Sequence, residues 1–415
     1  MARDRRRRLI PWVPVRLLVL PVALILVLAG CGSASVGPST ATVRATTSTT
    51  AAAATTATTA AATTVAAGGH GQSLRQVWLF GSTTVWAWTQ ALSGQAQGLE
   101  RSTDGGQHWT DVTPPGMSEQ VGDHFINGFF ALDADNAWVV YGGIGSSAAQ
   151  TVAATSDGGH HWTVVGRRPD TYGCDLQFVS PSDGWCAAIG GAAGSESVKL
   201  YRTEDGGTHW RVVSNTGPAG NPPGSLPFGC DKDIQFASPN VGWAIFACAG
   251  GVAPLYETTN GGATWVRRDV TAPSGSLEGG SGFAGSPVLA GANGAVGYTI
   301  SGPAPRTVVY VSTDAGASWH PLRPPGRAQA WLVDAMTPLV WRLLDGDRIL
   351  ATDNGGRSWR EITSDVGFKL YYTYDSPTPP VVDFVTDEVG WVVSTSLWRT
   401  TDEGRTWRRL AVPGT

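Results

Sequence analysis

The stretch T155-S-D-G-G-H-H-W-T-V-V165 decides the fold. Alone it offers an acid, two glycines, two adjacent histidines and a tryptophan, which suits either a catalytic loop or a turn between strands. Uniqueness separates the two readings, and the stretch is not unique. The pattern Ser/Thr-x-Asp/Asn-x-Gly-x-x-Trp recurs as STDGGQHW (102–109), TSDGGHHW (155–162), TEDGGTHW (203–210), TTNGGATW (258–265), STDAGASW (312–319), TDNGGRSW (352–359) and TTDEGRTW (400–407). Successive Trp residues lie 53, 48, 55, 54, 40 and 48 positions apart. A period near 50 residues is that of a propeller or a solenoid.

A second pattern precedes each copy: a short apolar run, a turn, then an aromatic and another apolar run. LQFVSPSDGWCAA, IQFASPNVGWAIF and VDFVTDEVGWVV are the clearest, and VLAGANGAVGYTI and WLVDAMTPLVWRLL are weaker versions. Alternation bounded by turn residues reads as strand–turn–strand. Each unit therefore has four strands, A to D from the inside out, with the box at the C–D turn. No segment after residue 31 carries a helical period. The sequence predicts an all-β chain with one seven-bladed β-propeller over 74–415, its four-stranded blades leaving only short, protected edges. Blade one begins with its own A strand and blade seven ends with its own D strand, so the ring is expected to close by packing alone.

An acid repeated around a ring solves one local problem many times. The carboxylates of Asp104, Asp157, Asp205, Asp314 and Asp402 are expected to accept backbone N–H groups of their own turns, a role that Asn260 and Asn354 share. The glycines permit positive φ. Trp109, Trp162, Trp210, Trp265, Trp319, Trp359 and Trp407 are expected to wedge between strands. His108, His161 and His209 fall on separate blades, too far apart for one metal, and together with His160 read as solvated turn residues. No metal or other cofactor is expected.

Residues 1–30 have a basic start, MARDRRRR, and a short apolar run broken by Pro21. That is the form of a secretory signal peptide. Its end, LAGC (28–31), resembles a bacterial lipobox, which implies cleavage before Cys31 and lipid attachment to its thiol. Residues 31–73 are mostly Ala, Thr and Ser and read as a disordered linker. Over some 42 residues such a tether reaches about 35 Å r.m.s.. Without the signal, the 29 basic and 33 acidic residues fall to 23 and 32, net −9. That charge argues against nucleic acid as partner and against an anionic membrane surface beyond the lipid anchor. The protein is expected outside the cytoplasm, anchored to the outer face of the bacterial membrane, as a monomer.

Four further cysteines in that compartment suggest disulfides. Cys230 begins strand A and Cys248 ends strand B of blade four, so these two are the favoured bridge. Cys174 and Cys186 then pair by elimination, a less natural fit because Cys186 begins strand B. A link from Cys174 to blade four is the alternative.

The box resembles the Asp-box, or bacterial neuraminidase repeat, and with the strands between the copies the resemblance spans nearly all of 74–410. Three families share it. Sialidases have six blades, an Arg triad and an F/Y-R-I-P strand, which is absent here. Xyloglucan-cleaving enzymes place carboxylates between two propellers. The photosystem II stability/assembly factor family has single seven-bladed propellers, often exported, without catalytic residues. Resemblance to the last implies a non-catalytic scaffold that binds a protein, or here a glycan, in the cell envelope. The alternative is a sialidase-like glycoside hydrolase. The A–B and C–D turns share one face, so specificity is expected on the other, at the longer D–A and B–C connections. Tyr371, Tyr372, Tyr374 and Asp375 form a candidate contact cluster there. Asp123, Asp175 and Asp231 precede A strands and could ring the mouth of the channel, where a carboxylate pair about 5–9 Å apart is the geometry of a glycosidase.

Overall fold

A computed structural model describes residues 17–18, 56–59, 72–91, 97–115, 117, 125–142, 150–168, 173–190, 195–218, 220–248, 251–274, 281–283, 287–300, 306–325, 332–368, 381–393 and 396–411. The signal and linker assignments lie outside these residues, apart from two short strands, Leu17–Leu18 and Thr56–Thr59, the second paired with blade one. The described residues include no helix. They form a seven-bladed propeller.

Blade three shows the pattern in full. Its strands are Asp175–Phe178, Gly184–Gly190, Ser197–Thr203 and Arg211–Thr216, antiparallel and hydrogen-bonded in sequence order. The innermost strand is short and the next two are long and apolar. Blade seven (Val381–Phe384, Gly390–Val393, Leu397–Thr400, Arg408–Leu410) repeats this order. Blade six departs from it. One element, Trp341–Thr352, runs through the positions of strands B and C, with Gly346 at φ +67°. Blades four and five also depart. Ser281–Phe283 pairs with the second strands of both, and Asp269–Val270 runs parallel to the outer strand of blade five.

The ring closes by packing. Leu74, Val77 and Leu79 of blade one share an apolar cluster with Trp391, Val393, Leu397 and Leu410 of blade seven. Trp109 donates its indole N–H to the carbonyl of Ala411 at 3.2 Å.

The box is a closed hydrogen-bonded unit. In blade three the Thr203 hydroxyl donates to Asp205 Oδ1 at 2.9 Å and accepts the Gly207 N–H at 2.9 Å. Asp205 Oδ1 accepts the N–H of His209 at 2.9 Å. The same three bonds recur in every blade, with Asn260 and Asn354 accepting through their amide oxygens. The N–H of the fourth box residue donates to a carbonyl of its own blade's A–B turn, as Gly206 does to Ser182 at 2.9 Å, again in all seven. Boxes and A–B turns therefore share one face.

The two glycine positions differ in what they demand. The fourth residue sits at positive φ and is Ala315 in blade five and Glu403 in blade seven, at +57° and +63°. The fifth is Gly in every copy. A Cβ there would strike the preceding blade: Val112 at 2.7 Å from Gly159, Leu200 at 2.6 Å from Gly262, Ile349 at 2.4 Å from Gly404. The fifth residue is thus the point where one blade's turn beds on its neighbour.

Rings continue this contact inward. Trp138 stacks on Phe178 of the next blade at 3.9 Å, and Trp185 on Phe236 at 3.8 Å. Their indole N–H groups reach the carbonyls of Gly206 and Gly261 in the following box. Of the box tryptophans, Trp162 donates to Val112 of the preceding blade, while Trp210, Trp265, Trp319, Trp359 and Trp407 close back on their own fifth residue.

Gly159→Ala combines φ +84° with this steric conflict and should cost about 2 kcal/mol or more in urea denaturation. Ala315→Gly relieves a left-handed alanine and should fall within about 1 kcal/mol of wild type.

Candidate functional site

The acids and bases singled out by the repeat are engaged in the fold. His108, His161 and His209 each place Nδ1 2.6–2.7 Å from Oδ2 of their own box Asp, with 85–90% of the side chain exposed. Backbone and side-chain hydrogen bonds from these histidines hold Asp104 and Asp157 well below the usual carboxylate range and Asp205 at about 2. In the other blades a Ser or Thr takes the His position. It donates to Asp314 and Asp402, and accepts from the amides of Asn260 and Asn354. A hydroxyl serves either partner because it both donates and accepts.

Three arginines precede the box Ser/Thr directly. Arg101, Arg202 and Arg399 lie over Trp86, Trp185 and Trp391 at 5.5, 5.2 and 5.4 Å. Arg101 reaches the Ala134 carbonyl and Asp135 of blade two, and Arg399 reaches the Ser82 carbonyl of blade one. Arg202 pairs with Asp183 at 3.2 Å and lies beneath Gly261 of blade four. Arg342, fully buried in blade six, pairs with Asp353 and with Asp387 of blade seven. These guanidiniums staple blades together.

The cysteines bear out the pairing reached by elimination. Cys174 and Cys186 form a disulfide with a Cα–Cα distance of 5.2 Å. The pair fits because strand A of blade three has only four residues and Leu176 lies opposite Cys186, so Cys174 sits diagonally across. The alternative link from Cys174 to blade four is excluded. Cys230 is disulfide-bonded, and the side chain of Cys248 lies outside the described residues. Cys31, Asp123, Tyr371, Tyr372, Tyr374 and Asp375 also lie outside them.

The acidic chemistry that remains gathers where the inner strands of blades three and four meet, toward the face opposite the boxes. Asp175 and Asp231 open these strands, as the sequence suggested. The structure adds Lys232, Asp233 and Glu196, which the sequence reading missed. The signal was the triplet Asp231-Lys232-Asp233 at a strand start, in a chain with only 15% charged residues. Strand alternation sends neighbours to opposite faces. Ile234 and Phe236 pack on blade three, so Asp231, Asp233 and Gln235 face the other way, toward blade five. Lys232 is buried. Its ammonium donates to the carbonyls of Glu196, Gly229 and Cys230 and lies 5.1 Å from the Phe246 ring. Glu196 accepts the Lys232 backbone N–H at 2.8 Å. Burial raises Glu196 and lowers Lys232.

Asp175 is exposed and Asp233 half-buried, yet protein crowds around both. That crowding lifts Asp175 to about 6. For Asp233, burial and then the neighbouring Asp175 charge raise it to about 7. Groups held above their ordinary range at a cost to stability mark candidate functional positions. No group of three or more His, Cys, Asp or Glu among the described residues is arranged to hold a metal ion. A separate cleft of about 300 Å³ on blade four is lined by Val252–Pro254 and Arg267–Val270, with Arg268 tied to Glu257.

No family model matches the chain, and no curated protein matches it. Solved structures do. One is YCF48 bound to a D1 peptide, 17% identical, covering 76% of this chain and 89% of that one, with a TM-score of 0.45. The Niastella koreensis GH74 enzyme is 14% identical over 87% of this chain and 70% of its own, TM-score 0.33. The Fusarium graminearum GH93 alpha-L-arabinofuranosidase with arabinobiose is 13% identical over 64% and 86%, TM-score 0.38. Likenesses this distant decide neither activity nor partner.

The two sets of carboxylates act on stability in opposite directions. A lowered pKa favours folding above the ordinary value of 3.8, so the box contribution is lost as pH falls through about 2. A raised pKa favours folding at low pH and loses its contribution as pH rises through 6–7. Asp233→Asn should therefore raise stability at pH 8 by on the order of 1 kcal/mol, after solvent screening, and leave it unchanged at pH 4, as read by thermal denaturation.

Proposed function

We propose that this chain is an exported lipoprotein, anchored through Cys31 and a flexible linker, whose propeller binds a protein or glycan of the cell envelope without catalysis. One observation carries the reading. The charged residues that the repeat brings round the ring are spent on the fold. Arg101, Arg202, Arg342 and Arg399 are locked against tryptophans and neighbouring turns, and the box acids are consumed by their own backbones. A protein so built leaves recognition to the face opposite the boxes.

A glycoside hydrolase is the second reading. Asp175 and Asp233 favour it, as two interacting carboxylates held near neutrality, which is the state of a general acid. The two readings separate in one experiment. Full-length protein is used as bait in envelope extracts and is assayed against a panel of chromogenic glycosides. Specific capture of a partner without turnover is the expected result. Turnover of any glycoside that disappears in Asp175→Asn or Asp233→Asn would overturn the non-catalytic reading.

A further inference from the structure

The propeller's own repetition supplies a baseline for the seam between blades four and five. The residue opposite the second-strand tryptophan is Gln177 in blade three and Gln235 in blade four. Gln177 latches the next blade. Its Oε1 accepts the Phe236 N–H at 2.7 Å, and its Nε2 donates to the Phe236 carbonyl at 3.4 Å. In blade six Asp334 does the same work, accepting the Phe384 N–H of blade seven at 2.6 Å. Gln235 does not latch. Its Nε2 turns back to Asp233 Oδ2 at 2.9 Å, and its Oε1 has no hydrogen-bond partner although the residue is only 6% exposed. Of the paired tryptophans, Trp185 donates to Gly261 of the next box, whereas Trp243 Nε1 has no partner, as is also true of Trp391 Nε1 in blade seven. A buried carbonyl oxygen left unpaired costs free energy, and here it is left where the repeat offers a ready way to satisfy it.

That oxygen sits beside Asp233, on which no cation among the described residues acts. Asp233 feels Asp175 and Glu196 as further negative charges. The nearest ammonium, Lys232, is on the opposite face of the strand and occupied by three carbonyls. Depth matters as well as charge. At about 3.4 Å per residue, Asp233 lies about 7 Å below Asp231 at the mouth, and Gln235 about 14 Å below it. A group that bonds both must reach along the strand from its mouth end, which suits a cation on a long stem and not a ring resting at the entrance.

We propose that the seam between the inner strands of blades four and five is a socket for one basic side chain, a lysyl ammonium or arginyl guanidinium, of the partner protein, held by Asp233 and the Gln235 carbonyl oxygen. The proposal deepens the binding reading above and rests on it. A multidentate donor on a basic side chain would satisfy the orphaned amide oxygen and the Asp233 carboxylate together.

The test is titration calorimetry of the full-length protein in detergent at pH 8 with Nα-acetyl-lysine amide and Nα-acetyl-arginine amide. The neutral Nα-acetyl-norleucine amide and glucosamine serve as comparators. At least one of the two cations should bind at least about tenfold more tightly than norleucine amide, and Asp233→Asn should erase that preference. Asp205→Asn, in a box where Asn is a native alternative, should keep it. Because Asp233→Asn is expected to be the more stable protein at pH 8, lost binding cannot be ascribed to lost fold. Equal affinity for norleucine amide, absence of binding by either cation, or binding retained in Asp233→Asn overturns the socket. Tighter binding of glucosamine overturns the peptidic source. Capture of the same envelope partner by wild type and Asp233→Asn overturns the socket while leaving the scaffold reading intact; glycoside turnover overturns the scaffold reading itself.

Discussion

The constraint on which the ring depends is the approach of each box's fifth residue to the blade before it. Where Gly159 meets Val112, and Gly262 meets Leu200, there is no room for a Cβ. Blades can come this close only if the turn that touches the neighbour has no side chain and is itself rigid. Rigidity comes from the hydroxyl–carboxylate–amide unit, which leaves few polar groups of the turn unpaired. A blade's four strands cannot cover their own apolar faces, so the contact between blades provides the burial that holds the fold together.

The division of labour around the ring follows. One face is built of short turns locked to boxes, and its acids are set low because their backbones need the charge. Arginine staples and tryptophan wedges extend that locking across seams. The opposite face is free of these duties. There Asp175 and Asp233 are held above their ordinary range by crowding, at some expense of stability near neutral pH. The box carboxylates and the inner-strand pair Asp175 and Asp233 are displaced in opposite directions, and each direction has a geometric cause.

Internal symmetry gives a further criterion. A seven-part ring carries its own controls, because equivalent positions show what a residue does when it serves the fold alone. Gln177 and Asp334 latch neighbouring inner strands, and Gln235 does not. Trp341-Arg342 stands where blade three has Gly184-Trp185, and there the buried guanidinium takes over the link to the next blade through Asp387. One departure is compensated within the fold. The other leaves an acceptor unpaired.

The sequence by itself determined the architecture, the blade number, the strand order, the face that bears the boxes and the structural role of Asp205 and its equivalents. All of these follow from local rules: alternation along a strand, hydrogen bonding within an eight-residue turn, and a period near 50. Tertiary structure decided which atoms meet across a seam. Nothing local reveals that Arg202 would lie beneath Gly261, that Cys174 would reach Cys186, or that Asp233 would feel the charge of Asp175. Those depend on the angle between separate sheets and on how many residues each inner strand spends before turning. Position within a strand is a property of the chain, whereas proximity between strands of different blades exists only once the ring has closed.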